Sequence, residues 1–164
     1  MNWFEDKVLL VGLVRVRNEN LILQDTLDHL SQHSDGLIIF DDASSDNSVR
    51  IAEKHSKVLE VLKNMHWRPD RLEEETRHRQ VLLEAAQRYR AQWIFYSDCD
   101  ERFIGNIRAF LSSDEAAGVD GVRISLFDAY MTPEDCQPYT SGQTLFNFRK
   151  YFGPERRDIL LTYA

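Results

Sequence analysis

The sequence predicts an α/β fold, a three-layer sandwich around a mainly parallel central sheet. Three observations lead there. Short unbroken apolar runs recur along the chain, the pattern of strands covered on both faces. Segments with helical spacing of apolar residues separate them, which implies βαβ units. Three polar clusters, Arg17-Asn18-Glu19, Asp41-Asp42 and Asp98-Cys99-Asp100, begin where apolar runs end.

Taken in order, Lys7 to Val16 (KVLLVGLVRV) is a Val-rich run and reads as a buried first strand. Asn20 is placed to cap a helix whose apolar face carries Leu23, Leu27 and Leu30, with Ser34-Asp35-Gly36 ending it. Gly36 to Phe40 is a second buried strand, and Asp41 to Asp46 is a loop by composition. A short helix through Val49, Ile51 and Ala52 follows, started by Ser45 or Asp46, and then a strand from Val58 to Leu62.

Asp70 with Glu73 forms a capping-box pattern, and Pro69 sits just ahead of it. The helix it starts carries Leu72, Leu82, Ala85, Ala86 and Tyr89 as its apolar side and leads into the strand Trp93 to Tyr96. Beyond Asp100 the pattern gives a helix near Ile107 to Leu111 and two strand-like stretches, Val122 to Phe127 and Thr144 to Phe152.

A chain of 164 residues suits one domain, and 43% hydrophobic residues suffice for a sizeable core. No stretch approaches the roughly 20 apolar residues of a membrane helix. Glu5 and Asp6 precede the first apolar run, and no small-residue cleavage site follows it, so a secretory signal is not expected. Cys99 and Cys136 have no CxxC spacing, which argues for reduced thiols and a cytoplasmic setting. A net charge of −7 argues against a nucleic-acid partner.

In open parallel sheets ligands bind at the carboxyl ends of the strands, where the polar clusters fall. Residues two apart at a strand end point to the same side, so Asp98 and Asp100 share one site while Cys99 faces away. Paired carboxylates select a hard cation, Mg²⁺ or Mn²⁺, with positions left open for phosphate oxygens. Taken alone, the tripeptide is a weak signal and reads first as a polar strand-to-loop transition. Asp42 is a candidate acceptor for a nucleobase or ribose hydrogen bond, whereas Asp46 reads as a helix cap. Arg15 and Arg17 emerge from a buried strand and call for an anionic partner or water. Arg77 and Arg79 read as an ion-pair face with Glu73, Glu74 and Glu75. His29 and His33 have metal-pair spacing without a third ligand and read as exposed helix histidines. His66-Trp67 falls in a loop that can flank a sugar.

These clusters, in this order, resemble the glycosyltransferases of family 2, which adopt the GT-A (nucleotide-diphospho-sugar transferase) fold, a Rossmann-like sandwich. Arg15-Val16-Arg17-Asn18-Glu19 stands where the family has Pro-x-Tyr-Asn-Glu. Phe40-Asp41-Asp42-Ala43-Ser44-Ser45-Asp46 is similar to Val-Asp-Asp-x-Ser-x-Asp. The segment from Arg79 through Ala86 to Asp100 is similar to the family's helix, strand and D-x-D motif.

The resemblance covers about the first hundred residues. It implies a nucleotide-sugar pocket bordered by Arg15, Arg17, Asn18 and Glu19, with Asp42 at the base. Asp98 would face ribose and metal, and Asp100 would hold a Mn²⁺ or Mg²⁺ ion bridging the diphosphate. It further implies inverting transfer of a sugar to a hydroxyl of a glycan, lipid or protein acceptor. Arg15 and Arg17 depart from the family's Pro and Tyr. Residues 1–164 are expected to form a single such domain lacking part of the acceptor-binding half, with the general base beyond Ala164. Glu134, Asp135 and Asp158 are the late carboxylates in reach of that role.

Three other readings remain. A sugar-nucleotide nucleotidyltransferase would need a Gly-rich loop after the first strand, where Arg17-Asn18-Glu19-Asn20 stands instead. A phosphoacceptor receiver domain would place its acidic pair after the first strand. A nucleotide-sugar-binding fragment without catalysis is the third.

Overall fold

The computed structural model describes residues 8–130, 132, 137–148 and 151–162. Four parallel strands make the central sheet: β1 (Leu10–Val16), β2 (Gly36–Asp42), β3 (Val58–Asn64) and β4 (Trp93–Ser97), in the spatial order β3-β2-β1-β4. Every β2 residue and all but one of β1 are buried, because these two strands occupy the middle of the sheet. Edge strand β3 is half-buried through most of its length.

Alternation along the strands feeds two cores. Leu10, Val14, Val16, Leu37 and Ile39 point to one face, where they meet Leu23, Leu27 and Leu30 of α1 (Leu23–His33) and Ala52 of α2 (Ser48–Lys54). Val11, Leu13, Ile38 and Phe40 point to the other and meet Leu82, Ala85 and Ala86 of α3 (Arg71–Arg88). The three layers are therefore helices, sheet and one long helix. Gly12 permits the closest approach in the sheet. A Cβ there would come within 2.6 Å of both Leu37 Cδ2 and Phe95 Cζ.

After β4 come α4 (Ile107–Leu111), a 3-10 turn at Asp114–Ala116 and β5 (Gly121–Tyr130). A short helix, α5 (Leu145–Phe148), precedes β6 (Tyr151–Thr162), which pairs antiparallel with β5. The expected strand over Thr144 to Phe152 is thus a helical turn followed by the start of β6. Its side-chain pattern there, Leu145, Phe146 and Phe148, fits either period over so few residues.

Helix starts differ from expectation in two places. α1 begins from Ile22 without a side-chain cap, and the Glu19 carbonyl accepts the Ile22 and Leu23 N–H groups at 3.1 and 2.8 Å. Asn20 is not its cap. α2 begins from Asn47, also without a side-chain cap, while Asp46 Oδ1 accepts the Ser48 N–H at 2.9 Å from one residue earlier. Asp70 does cap α3, accepting the Glu73 N–H at 3.3 Å. Leu72 lies outside the core at 79% exposure, since the first turn of α3 extends past the sheet.

Candidate functional site

The sheet order places a switch point between β1 and β4. From β1 the chain winds outward through β2 to β3, then returns through α3 to β4 on the opposite side. Parallel register sets Val14 beside Ser97 and Val16 beside Asp41, so the polar sequences that follow leave the sheet side by side. A crevice at such a point is the usual ligand site of an open α/β sheet.

Here the crevice is a cleft of about 240 Å³ lined by Arg15, Arg17, Glu19, Ile22, Asp98, Cys99 and Asp100. A shallower depression of about 320 Å³ lies between α1 and α2, lined by Asn20, Gln24, Asn47, Arg50, Ile51 and Lys54. Asp98 and Asp100 are exposed while Cys99 is buried, as strand alternation requires. Cys99 Sγ lies 3.6 Å from the Arg15 carbonyl, and burial pushes its thiol far up from its ordinary range.

The cleft concentrates negative charge. Partial burial raises the Asp98 pKa, and the Asp100 carboxylate adds to the effect, against the opposing pull of Arg15 and Arg79. Glu19 is raised by burial, then by Asp100, Asp46 and Asp98. Glu101 folds back onto this turn. Its Oε2 accepts the Asp98 N–H at 2.9 Å, and burial raises its pKa too. Among the described residues no group of three or more His, Cys, Asp and Glu side chains is arranged to hold a metal ion. The oxygen donors that do line the cleft are hard ligands suited to Mg²⁺ or Mn²⁺, with completion left to other oxygens.

Arginines offset this charge. Arg15 Nη2 lies 3.2 Å from Glu75 Oε1 of α3. The Arg17 guanidinium stacks over the Trp67 ring at 4.2 Å, and its buried Nη1 has no hydrogen-bond partner among the described residues. Arg79 lies 4.6 Å over the Tyr96 ring. Arg77 joins the ion-pair face expected of α3: its Nη2 and Nε reach Glu74 at 2.7 and 3.3 Å.

Asn18 and Asp42 stand apart from the cleft lining. Asn18 turns the chain out of β1 at φ 55°, and Ala43 does the same after β2, also at φ 55°. The two loops are then stitched together. Asn18 N–H donates to Ser44 Oγ at 2.9 Å, and Ser45 N–H returns a bond to Asn18 Oδ1 at 2.8 Å. Glu19 N–H donates to Ser48 Oγ and Asn20 N–H to Asp46 Oδ2. The polar run after β2 thus holds the loop that presents Arg17 and Glu19. Asp42 is buried at 6% exposure, and its Oδ1 accepts from Asn64 Nδ2 at 3.0 Å and lies 3.8 Å from His78 Nε2.

Several residues of the site were not singled out from sequence. Arg102, at 5% side-chain exposure, braces the acidic turn: its Nη1 donates to the Cys99 carbonyl at 2.9 Å and its Nη2 to Asp25 Oδ2 at 2.6 Å. Thr26 Oγ1 also donates to that carbonyl. His78 on α3 was not singled out either, and its i,i+4 spacing from Glu74 is the signal that could have marked it. His29 is half-buried, not exposed, and its Nε2 accepts the Phe103 N–H at 2.9 Å. Glu134, Asp135 and Cys136 lie outside the described residues, as does the Asp158 side chain. No described helix is long and apolar enough to cross a membrane.

No curated protein matches this chain in sequence. In structure it is similar to a crystal structure of 4-diphosphocytidyl-2C-methyl-D-erythritol synthase, at TM-score 0.53 and 14% identity, over 97% of this chain and 76% of that one. Such a likeness speaks for the fold alone, an α/β sandwich of the nucleotide-diphospho-sugar transferase type. A family model described as Glycosyl transferase family 2 matches residues 13–157, which include every residue lining the cleft. The chain belongs to glycosyl transferase family 2.

Proposed function

We propose that this protein transfers a sugar from a nucleotide-diphosphate donor to an acceptor hydroxyl, using a divalent cation held by Asp98 and Asp100. Family membership makes a nucleotide-sugar-utilising transferase the coarse reading. The observation that carries the finer one is the meeting of Arg15, Arg17 and Glu19 with Asp98 and Asp100 in one cleft at the switch point. The loop after β1 reads Arg17-Asn18-Glu19-Asn20, with no glycine to cradle a triphosphate, which favours sugar transfer over nucleotidyl transfer.

Each residue has a task in this reading. Asp98 and Asp100 supply hard oxygen ligands, and Glu101 holds the backbone between them by accepting the Asp98 N–H. Mn²⁺ or Mg²⁺, when bound, would neutralise the charge that develops on the leaving diphosphate. Arg17, whose Nη1 has no hydrogen-bond partner among the described residues, would give a charge-assisted bond to a phosphate oxygen. Asp42 sits at the β2 end, where a carboxylate can accept a base N–H. Water is displaced from the cleft by the donor, which strengthens each of these contacts. The acceptor, a glycan, lipid or protein hydroxyl, and its general base are assigned to none of the described residues. A cytoplasmic location accords with the buried thiol of Cys99.

The test begins with a thermal-shift panel of UDP, GDP, CDP and dTDP, each with Mn²⁺ or with EDTA. A ligand at 100 times its Kd adds about 2.7 kcal/mol of stability, an easily read shift. Calorimetric titration of the best nucleotide then compares the parent with Asp100→Asn. Metal-dependent affinity in the parent and metal-independent, weaker affinity in the variant are expected. Equal affinity in all four conditions would refute the metal site.

A further inference from the structure

Helix α3 turns a second group of ionisable side chains toward β2. At its centre is His78, fully buried, with its ring stacked on Phe40 at a centroid distance of 4.1 Å. His78 Nε2 lies 3.1 Å from Arg77 Nη2, 3.4 Å from Glu74 Oε2 and 3.8 Å from Asp42 Oδ1. Its Nδ1 is buried and has no hydrogen-bond partner among the described residues.

This arrangement constrains where the proton sits. A guanidinium only donates, so the 3.1 Å contact with Arg77 is a hydrogen bond in the Nδ1–H tautomer, whereas the Nε2–H tautomer would give its proton to Glu74 at 3.4 Å. The shorter contact favours the hydrogen on Nδ1, which has no acceptor among the described residues. Burial, first, lowers the His78 pKa; Asp42 and Glu74 pull upward, and Arg77 and Arg15 push further down. The groups around the ring come from every neighbouring element: Asp42 on β2, Arg15 on β1, and Glu74 and Arg77 on α3. Asn64 on β3 touches Asp42 itself.

We propose that His78 is a positioning residue for Asp42, leaving that carboxylate to the nucleobase while its ring is neutral and engaging it once protonated. The inference rests on the reading of Asp42 as the base contact. A neutral ring accepts from Arg77 and asks nothing of Asp42. A protonated ring presents Nε2–H to Glu74 and Asp42, the two carboxylates in reach, and loses its bond from Arg77. Asp42 Oδ1 then has a cationic donor besides the Asn64 amide, and a base N–H must compete with it.

The experiment is calorimetric titration of the tightest of UDP, GDP, CDP and dTDP, with Mn²⁺ present, at about pH 7.5 and about pH 5.5. Parent, His78→Phe and Asp42→Ala are compared. His78→Phe keeps the stack on Phe40 and removes the titration, while phosphate and metal-ligand ionisations are common to both chains and cancel. Parent affinity is expected to drop about twofold more than that of His78→Phe over this interval, since burial keeps the ring partly neutral even at the lower pH. Identical pH profiles would overturn the proposal while leaving Asp42 as base contact, provided Asp42→Ala binds poorly at the higher pH. Parent-like binding by Asp42→Ala would instead remove the reading beneath it. Long-range ¹H–¹⁵N NMR of the parent needs no variant: a proton on Nδ1 at about pH 7.5 is expected. A proton on Nε2 would overturn the proposal.

Discussion

Arg102 Nη2 lies 2.6 Å from Asp25 Oδ2, and that same oxygen accepts the Leu145 N–H at 3.0 Å. One carboxylate on α1 thus ties the turn after Asp100 to the segment that leads into β6. Both side chains of the ion pair are largely buried, at 5% and 13% exposure. Replacing Arg102 by Met strands Asp25 without its charge partner, and breaking such a pair typically costs about 3–5 kcal/mol. Urea unfolding of Arg102→Met should show a loss of that order. A change below about 0.5 kcal/mol would mean the pair contributes nothing beyond its desolvation.

Glu101 holds the backbone of the acidic turn, accepting the Asp98 N–H at 2.9 Å. Glu101→Gln keeps an acceptor there and removes a charge. Glu101→Ala removes both and leaves the turn free to open. Nucleotide affinity in the presence of Mn²⁺ should therefore fall by about tenfold in Glu101→Ala, the equivalent of one hydrogen bond to a charged group, and by less in Glu101→Gln. Equal affinity in parent and Glu101→Ala, measured calorimetrically, would show that the turn holds its shape without this bond.

The two acidic residues of the second loop should separate by assay. Asp46 accepts from Ser48 N–H at 2.9 Å and Asn20 N–H at 3.1 Å, so it supports α2 and the first loop together. Asp46→Ala should lower stability by about 1–2 kcal/mol, the range of a lost cap. Asp42→Ala should instead weaken nucleotide binding and blur discrimination among bases. The crossing of these two phenotypes, in thermal unfolding and in titration, would reverse the assignment.

His29 gives the fold an acid sensitivity of its own. Burial, then His33 and Arg102, lower its pKa from 6.5 to about 4, with Asp25 opposing. The neutral ring accepts the Phe103 N–H, so the folded state binds this proton less readily than the unfolded chain. Its contribution is complete above about pH 6.5 and is lost as pH falls toward 4, by about 1–3 kcal/mol. His29→Gln retains an acceptor and should flatten the stability profile across that window. An unchanged slope would place the acid sensitivity elsewhere, His33 being the neighbour also lowered by burial.

Much of this protein follows from sequence alone, because strand and helix periods are local properties. The runs from Leu10 to Val16 and from Gly36 to Phe40 could be buried only as central strands. The Asp70 cap, the ends of β4 and the inward turn of Cys99 follow from spacing in the same way. The family, too, was legible from the order of three short motifs.

Tertiary structure decided what those motifs do. Asn18, expected at the nucleotide pocket, also clamps Ser44 and Ser45, and Asp46, expected to cap one helix, holds the first loop as well as the start of α2. Partners 26 or 27 residues apart meet only after β1 and β2 pair in parallel, which no local pattern encodes. The same reason hides His78 from a sequence reading: its neighbours Phe40 and Asp42 reach it across the packing of α3 on β2. Arg102 and Asp25, 77 residues apart, form their pair because α1 and the acidic turn share one face of the sheet. Spacing tells which side chains leave a strand together. Only the folded chain tells which of them find each other before they can find a ligand.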